Sequence, residues 1–589
     1  MPTMVRRMRL GSVRSIGRLM LATAAFWLAG PDRALANYIG PAFLKFPGVA
    51  GGSRDTKYRN WVRTEANYWT KTPNLREIRG ITGKYSGLKF TGPQAPGHGP
   101  DMLAVSVDKA SPALRSLMEQ CRSGARIPVV TFAESAQLAR HPQEHGPRPA
   151  DVPEYYEYAL KGVHLTCPVV DRAPEQAFAI HFEEIEWLNH QPQPRPREIT
   201  TAPANLPATP KSGATKLFVI SWFAPIADSS ENQCPKMNTK PSQDDYYALM
   251  SKERAAEQRA RLASQGGANT MNLPFRGPDE MNVIMLPGIV PDPGFEAPQV
   301  DVVRGFNLDG DDGSGRAPAQ TRRHRNYRSP DGRAGIDNQL FSVQGCVEGW
   351  RRKGFLPMIG NELRRAGGLS ILVQISGIDD PRNDNDVTVT ILYSADPMRR
   401  GGTSKEVLPD YTFRVNDTPE YTQDFARFRG KIVNGVIITD PLPKIYLHEG
   451  TATTWSLAKA RMRLEIKPDG TLSAVLGGYR DWREYLAAAF FRGSDYENTI
   501  GFQAPGMYNA ARRAADGLKD PITGEFTGIS AAYEMEGVPA FIPAVEQQRL
   551  AGGGPYGPTA AGASEESTLR GSASTAVPEM LARRATSRR

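Results

Sequence analysis

The chain has 589 residues, 40% of them hydrophobic and 23% charged, a balance that excludes wholesale disorder in a chain too long for one core. Glycine (56) and proline (48) together make about one residue in six, which argues against a mainly helical protein. Residues 1–36 hold six arginines and Asp32, a net +5 of the chain's +9, and the +4 that remains is too little for a phosphate-binding surface.

Those first residues have the three parts of an export signal. Five arginines precede Leu19, Leu19 to Gly30 is a run of twelve uncharged, mostly apolar residues, and Ala34 and Ala36 are the small residues a signal peptidase reads. Twelve helical residues span ~18 Å, short of the ~30 Å hydrocarbon core, so a cleaved signal is expected rather than an anchor. The mature chain is expected to begin at Asn37, after cleavage behind Ala36, in the periplasm or outside the cell. No membrane segment and no nucleic acid are expected among its partners.

Four cysteines suit that oxidising setting. Of the three pairings possible, pairing within each half is the simplest: Cys121 with Cys167 and Cys234 with Cys346. Buried free thiols are the competing reading.

Residues 37–190 read as a compact β-rich unit. Short strands are predicted at Phe43–Phe46, Met102–Val107, Ile127–Phe132, Tyr155–Leu165 and Gln176–Phe182. A helix is predicted at Ser111–Cys121, with Ser111 as its cap, Pro112 in its first turn, Leu114, Leu117 and Met118 on its apolar face, and Gly124 just past its end.

The segments Phe43-Leu-Lys-Phe-Pro-Gly-Val49, Val107-Asp-Lys-Ala-Ser-Pro-Ala-Leu114, Cys121-Arg-Ser-Gly124, Tyr156-Glu-Tyr-Ala-Leu160 and Phe182-Glu-Glu-Ile-Glu-Trp187 resemble the Hcp family, the inner-tube proteins of type VI secretion. The resemblance covers about 150 of the 589 residues. It implies a small closed β-barrel with one flanking helix, and a homo-oligomeric ring. It carries no catalytic residues with it. Two departures stand against a place in a working tube: the export signal, and a further four hundred residues beyond Trp187.

Residues 191–215 are rich in Pro, Ala and Thr and read as an extended linker. Residues 216–550 form a second region. Its clearest predicted helix runs from Ser242 to Gln265, capped by Ser242 and closed by Gly266. Beyond residue 369 the pattern is mostly strands. In Arg461–Ile466 apolar and charged residues alternate, and Lys467-Pro-Asp-Gly470 then turns into Thr471–Leu476, the best hairpin signal in the chain. The fold class expected is mainly β: a closed barrel, then an antiparallel β-sandwich with peripheral helices. Residues 551–589 are Gly-, Ala-, Ser- and Arg-rich and expected to be disordered.

Candidate chemistry is sparse. His141-Pro-Gln-Glu-His145 has the spacing of a zinc-protease motif, but Pro142 and Gly146-Pro147 deny it the helix that would align both histidines. Ser456-Leu-Ala-Lys459 matches an acyl-transfer motif without its companions. The six arginines between Arg316 and Arg333 read as a solvated loop near acidic turns. Asn307, Asp309, Asp311 and Asp312, with Asp337 and with Asp384 and Asp386, are oxygen-rich clusters that calcium can use. Plain turns are the alternative, since Asp, Asn and Gly are turn formers. The function expected is an exported, non-enzymatic assembly or binding protein. Two other readings are a specialised type VI tube protein with a C-terminal effector extension, and an exported hydrolase.

Overall fold

The computed structural model describes residues 37–69, 102–135, 155–167, 173–188, 213–264, 285–312, 324–448, 454–490 and 504–543, apart from single positions and short stretches within those spans. The expected signal, most of the expected linker, the His141–His145 motif and the expected tail lie outside the described residues.

The first region contains β1 (Asn37–Lys45), β2 (Val62–Trp69), β3 (Met102–Asp108), α1 (Leu114–Ser123), β4 (Ile127–Ser135), β5 (Tyr155–Thr166), β6 (Glu175–His181) and β7 (Glu184–Trp187). Six strands close an antiparallel circuit in the order β4-β1-β2-β3-β6-β5 and back to β4, with β7 alongside β5. Closure leaves no free edge within the circuit. Trp69 fills the middle and meets Phe132 and Tyr158 edge-on, with centroids 5.6 and 5.8 Å apart. Helix α1 inserts Leu117 into this core and ends at Gly124, whose φ of 63° is open to glycine. Its cap position is Ala113 rather than the expected Ser111, whose hydroxyl accepts from Ala113 N at 3.4 Å in the turn before the helix. A disulfide from Cys121 to Cys167 ties the helix to the end of β5.

The second region runs through β8 (Ala214–Pro225), α2 (Gln243–Ala248), α3 (Lys252–Ser264), α4 (Gln339–Gln344), α5 (Phe355–Arg365), β9 (Ser370–Ile378), β10 (Asn383–Ser394), β11 (Tyr411–Thr412), β12 (Ala426–Val433), β13 (Val436–Thr439), β14 (Leu442–His448), β15 (Thr454–Ile466), β16 (Leu472–Asp481), α6 (Trp482–Phe490), α7 (Ala504–Ala514), β17 (Gly517–Lys519) and β18 (Phe526–Phe541). The β15–β16 hairpin forms as expected, with Met462 and Leu464 fully buried.

Two expectations are corrected here. The strands do not make two packed sheets. They form an eight-stranded antiparallel barrel, β8-β9-β10-β12-β13-β15-β16-β18, closed by β18 against β8. The closing register pairs Leu217 with Ala540, a contact between the two ends of the region that local alternation does not reveal. The helix expected over Ser242–Gln265 is two helices, α2 and α3, interrupted before Lys252.

Val373, Val389, Phe428, Leu464, Leu476 and Tyr533, from six of these strands, are buried in one apolar cluster. The described parts of the segment 300–341, residues 300–312 and 324–341, lie against β16 and β18. Val303, Tyr327, Ile336 and Phe341 cover Ala532, while Phe306 and Leu308 cover Tyr479. The disulfide from Cys234 to Cys346 spans 112 residues of sequence and encloses this segment.

The two barrels are packed together. In the middle of the face that β3 and β6 turn outward the residues are small (Ala104, Ser106, Ala177, Ala179) and lie opposite one another in register. Ala104, Ala177 and Ala179 belong to the same buried cluster as Met285, Ile289, Trp482 and Met507 of the second region. Small side chains let the covering elements approach the strands closely.

Candidate functional site

Under the 300–341 segment, three carboxylates converge on one imidazole. His324 Nε2 lies 3.4 Å from Asp309 Oδ2, 3.6 Å from Asp337 Oδ1 and 3.6 Å from Asp516 Oδ2. Asp337 and Asp516 are buried, and the side chains of Asp309 and His324 are nearly so. Each carboxylate is held by backbone N–H groups on its other oxygen. Asp309 Oδ1 accepts from Asp311 N at 2.7 Å, Asp337 Oδ2 from Leu308 N at 2.6 Å, and Asp516 Oδ1 from Ser530 N at 2.7 Å. The inward oxygens Asp337 Oδ1 and Asp516 Oδ2 accept no hydrogen bond.

His324 Nδ1 sits 3.2 Å from the Arg325 carbonyl, which also accepts from Gln339 Nε2 at 2.6 Å. Gln339 Nε2 also lies 3.3 Å from His324 Nδ1, so Nδ1 can accept from that amide or donate to the carbonyl, and in the second tautomer the Nε2 lone pair faces the carboxylates. Burial pushes Asp337 up to about 7, helped by the nearby Asp309 charge, and pushes Asp516 up to about 6. Burial by itself lowers the His324 pKa, but the Asp516 and Asp337 carboxylates raise it above its ordinary value. Asp309, His324 and Asp337 offer ligand atoms within 4.8 Å of one another, so this group can hold a metal ion.

The structure thus brings together Asp309 and Asp337 of the residues expected to hold calcium. Asn307 supports the same loop, donating to Asp311 O at 3.0 Å and accepting from Gly310 N at 2.6 Å. Asp311 and Asp312 end the described part of that loop. Asp384 and Asp386 lie elsewhere, at the start of β10. Asp384 accepts from the backbone of Asp379 at 2.8 Å and of Asp386 at 3.0 Å, and Asp386 pairs with Arg429 at 3.3 Å. Neither His324, which sits among arginines, nor Asp516 was expected as a ligand. A fainter signal was available: Asn307-Leu-Asp309 and Asp337-Asn338 bracket His324 on a segment whose buried ends fix both acids near it.

Ser456 lies on a strand, β15, and its hydroxyl donates to Glu484 Oε2 at 3.0 Å. The Lys459 ammonium instead lies 5.6 Å from the centre of the Tyr479 ring.

A second polar cluster joins the barrels. Glu175 on β6 is fully buried and accepts from Tyr508 Oη of α7 at 2.5 Å. Arg512, one turn on, lies 3.7 Å from Glu175 and 3.4 Å from Asp108. Arg483 of α6 is buried, stacked on Trp482, and lies 3.6 Å from Glu65 and 3.2 Å from Glu525. Arg63 reaches Glu525 at 3.0 Å. Burial first, then the Glu65 charge, push Glu175 up to about 7. Among the described residues no helix is long and apolar enough to cross a membrane.

Solved structures similar to the chain include three Hcp proteins. Hcp2 from Salmonella typhimurium is 17% identical, covering 25% of this chain and 84% of its own, with a TM-score of 0.16. Hcp1 from the same organism is 17% identical over 25% of this chain and 83% of its own, also at 0.16. Hcp1 from E. coli is 13% identical over 25% of this chain and 90% of its own, again at 0.16. No family model matches the chain, and no curated protein matches it.

Proposed function

We propose that the chain is an exported, non-enzymatic assembly or binding protein in which a barrel resembling a type VI tube subunit and a second barrel act as one body. The observation that carries this reading is the junction. At its centre Glu65 and Glu175 of the first barrel and Arg483 of the second region are buried, with Arg63, Arg512 and Glu525 partly exposed around them, and parting the two barrels strands the buried groups away from their partners. Loosely tethered domains meet through wetter surfaces. In this reading the first barrel also mediates a homo-oligomeric ring. The second barrel covers the outer face of β3 and β6, so ring contacts fall on the remaining faces, including that of α1. We assign the protein no catalytic residue.

The test is to express the whole chain in a Gram-negative host and to determine the N-terminus and the mass in solution of the product. A periplasmic protein that begins at Asn37 and runs as a multimer supports the proposal. An intact Met1 in the cytoplasm overturns the export reading. A monomer at every concentration overturns the ring.

A further inference from the structure

We propose that Asp309, His324 and Asp337, with Asp516 at the edge of the group, form a binding site for one divalent transition cation of the zinc type, a different occupant from the calcium expected of the oxygen-rich loops. Three observations carry this, independently of the assembly reading.

The first is the donor set. An imidazole nitrogen with carboxylates suits zinc and its neighbours, whereas calcium takes six to eight oxygens. The second is spacing. Ligand atoms on a tetrahedron with metal distances of ~2.1 Å stand ~3.4 Å apart. His324 Nε2 lies 3.4 Å from Asp309 Oδ2 and 3.6 Å from Asp337 Oδ1, and the ligand atoms of these three residues lie within 4.8 Å of one another, while Asp516 Oδ2 reaches the same nitrogen at 3.6 Å from the edge of that group. The third is the orphaned atoms. Asp337 Oδ1 and Asp516 Oδ2 are buried, point at the same nitrogen, and accept no hydrogen bond. Buried carboxylate oxygens without donors are costly, and a cation among them removes that cost.

The surroundings match a metal shell. Backbone N–H groups orient each aspartate through the oxygen that faces away, and the Arg325 carbonyl orients the imidazole through Nδ1. Such outer contacts are what hold metal ligands in place. The competing account is a metal-free network in which a charged His324 neutralises the aspartates.

The experiment takes the whole mature chain, strips it with chelator, and adds Zn2+, Mn2+ or Ca2+ separately, with calorimetry and elemental analysis as readouts. The expected result is one Zn2+ per chain, not displaced by a large excess of Ca2+. His324→Gln should weaken binding by more than the ~10–100-fold that an outer-shell change costs. Asp516→Asn should also weaken zinc binding, by less than His324→Gln does, yet the stripped variant should melt no lower than stripped wild type, because one buried charge is gone. Failure to take up Zn2+ or Mn2+ stoichiometrically overturns the proposal. So does uptake that survives both substitutions, or Ca2+ binding that His324→Gln leaves unchanged. A fall in the melting temperature of the stripped protein with Asp516→Asn, together with no zinc effect, establishes the metal-free network instead.

Discussion

The Tyr508 hydroxyl donates to Glu175 Oε1 at 2.5 Å, and this bond joins a helix of the second region to a strand of the first. Tyr508 and Glu175 are both fully buried, 333 residues apart in sequence. Their contact is therefore a report on whether the two barrels are docked.

It should also be sensitive to pH. Burial and the Glu65 carboxylate raise Glu175 from an ordinary 4.5 to about 7. The folded protein thus holds this proton more tightly than the unfolded chain. The stabilisation is complete below pH 4.5 and is lost as pH rises through 7. Glu175→Gln keeps an acceptor for Tyr508 and cannot titrate. Melting temperatures of both proteins across this range should show the balance moving towards the variant as pH rises. Parallel curves would remove Glu175 as the origin.

Arg483→Met tests the second pair. It takes the guanidinium from between Glu65 and Glu525 and leaves Glu65 buried. Breaking a buried pair from one side costs about 3–5 kcal/mol. Urea unfolding should show a loss of that order, and Glu65→Gln added to Arg483→Met should restore part of it.

Gly288→Ala is a steric test. A Cβ there would stand 2.1 Å from the Glu175 carboxyl carbon, a separation no packed pair tolerates. Overpacking of this kind costs about 1–3 kcal/mol. The variant should melt lower and be cleaved faster by protease between the barrels.

What the sequence revealed, and what it hid, follows from the same packing. The strands of the first barrel were legible except β2. That strand sets Val62, Ala66 and Tyr68 against Arg63, Glu65 and Asn67, a short alternation weakened by Thr64, and its polar positions Glu65 and Asn67 are buried like the apolar ones. Glu65 is there for Arg483, more than four hundred residues away, and no local pattern can announce that. The β15–β16 hairpin was legible because Met462 and Leu464 are buried while the arginines beside them are less so. Barrel closure was not, since the pairing of Leu217 with Ala540 is purely tertiary. At the candidate site, Asp309 and Asp337 stood out as acids in turns. His324 and Asp516 became neighbours only through the folding of the 300–341 segment onto β16 and β18.

The Cys234–Cys346 disulfide closes a span of 112 residues that includes this segment. Chain entropy puts the stabilisation from a loop of that length at about 4–5 kcal/mol. Replacing both cysteines with serine should lower the denaturant midpoint accordingly, and reductant should then have a much smaller effect on the variant than on wild type. An unchanged midpoint would mean that packing alone secures the segment.

The most direct test of docked barrels is scanning calorimetry of the chain from Asn37 onward beside Tyr508→Phe combined with Arg483→Met. One body predicts a single transition for wild type, with calorimetric and van't Hoff enthalpies in agreement. In the double variant it predicts either two transitions or one at a clearly lower temperature. Two separate transitions in wild type, neither moved by the substitutions, would contradict the account.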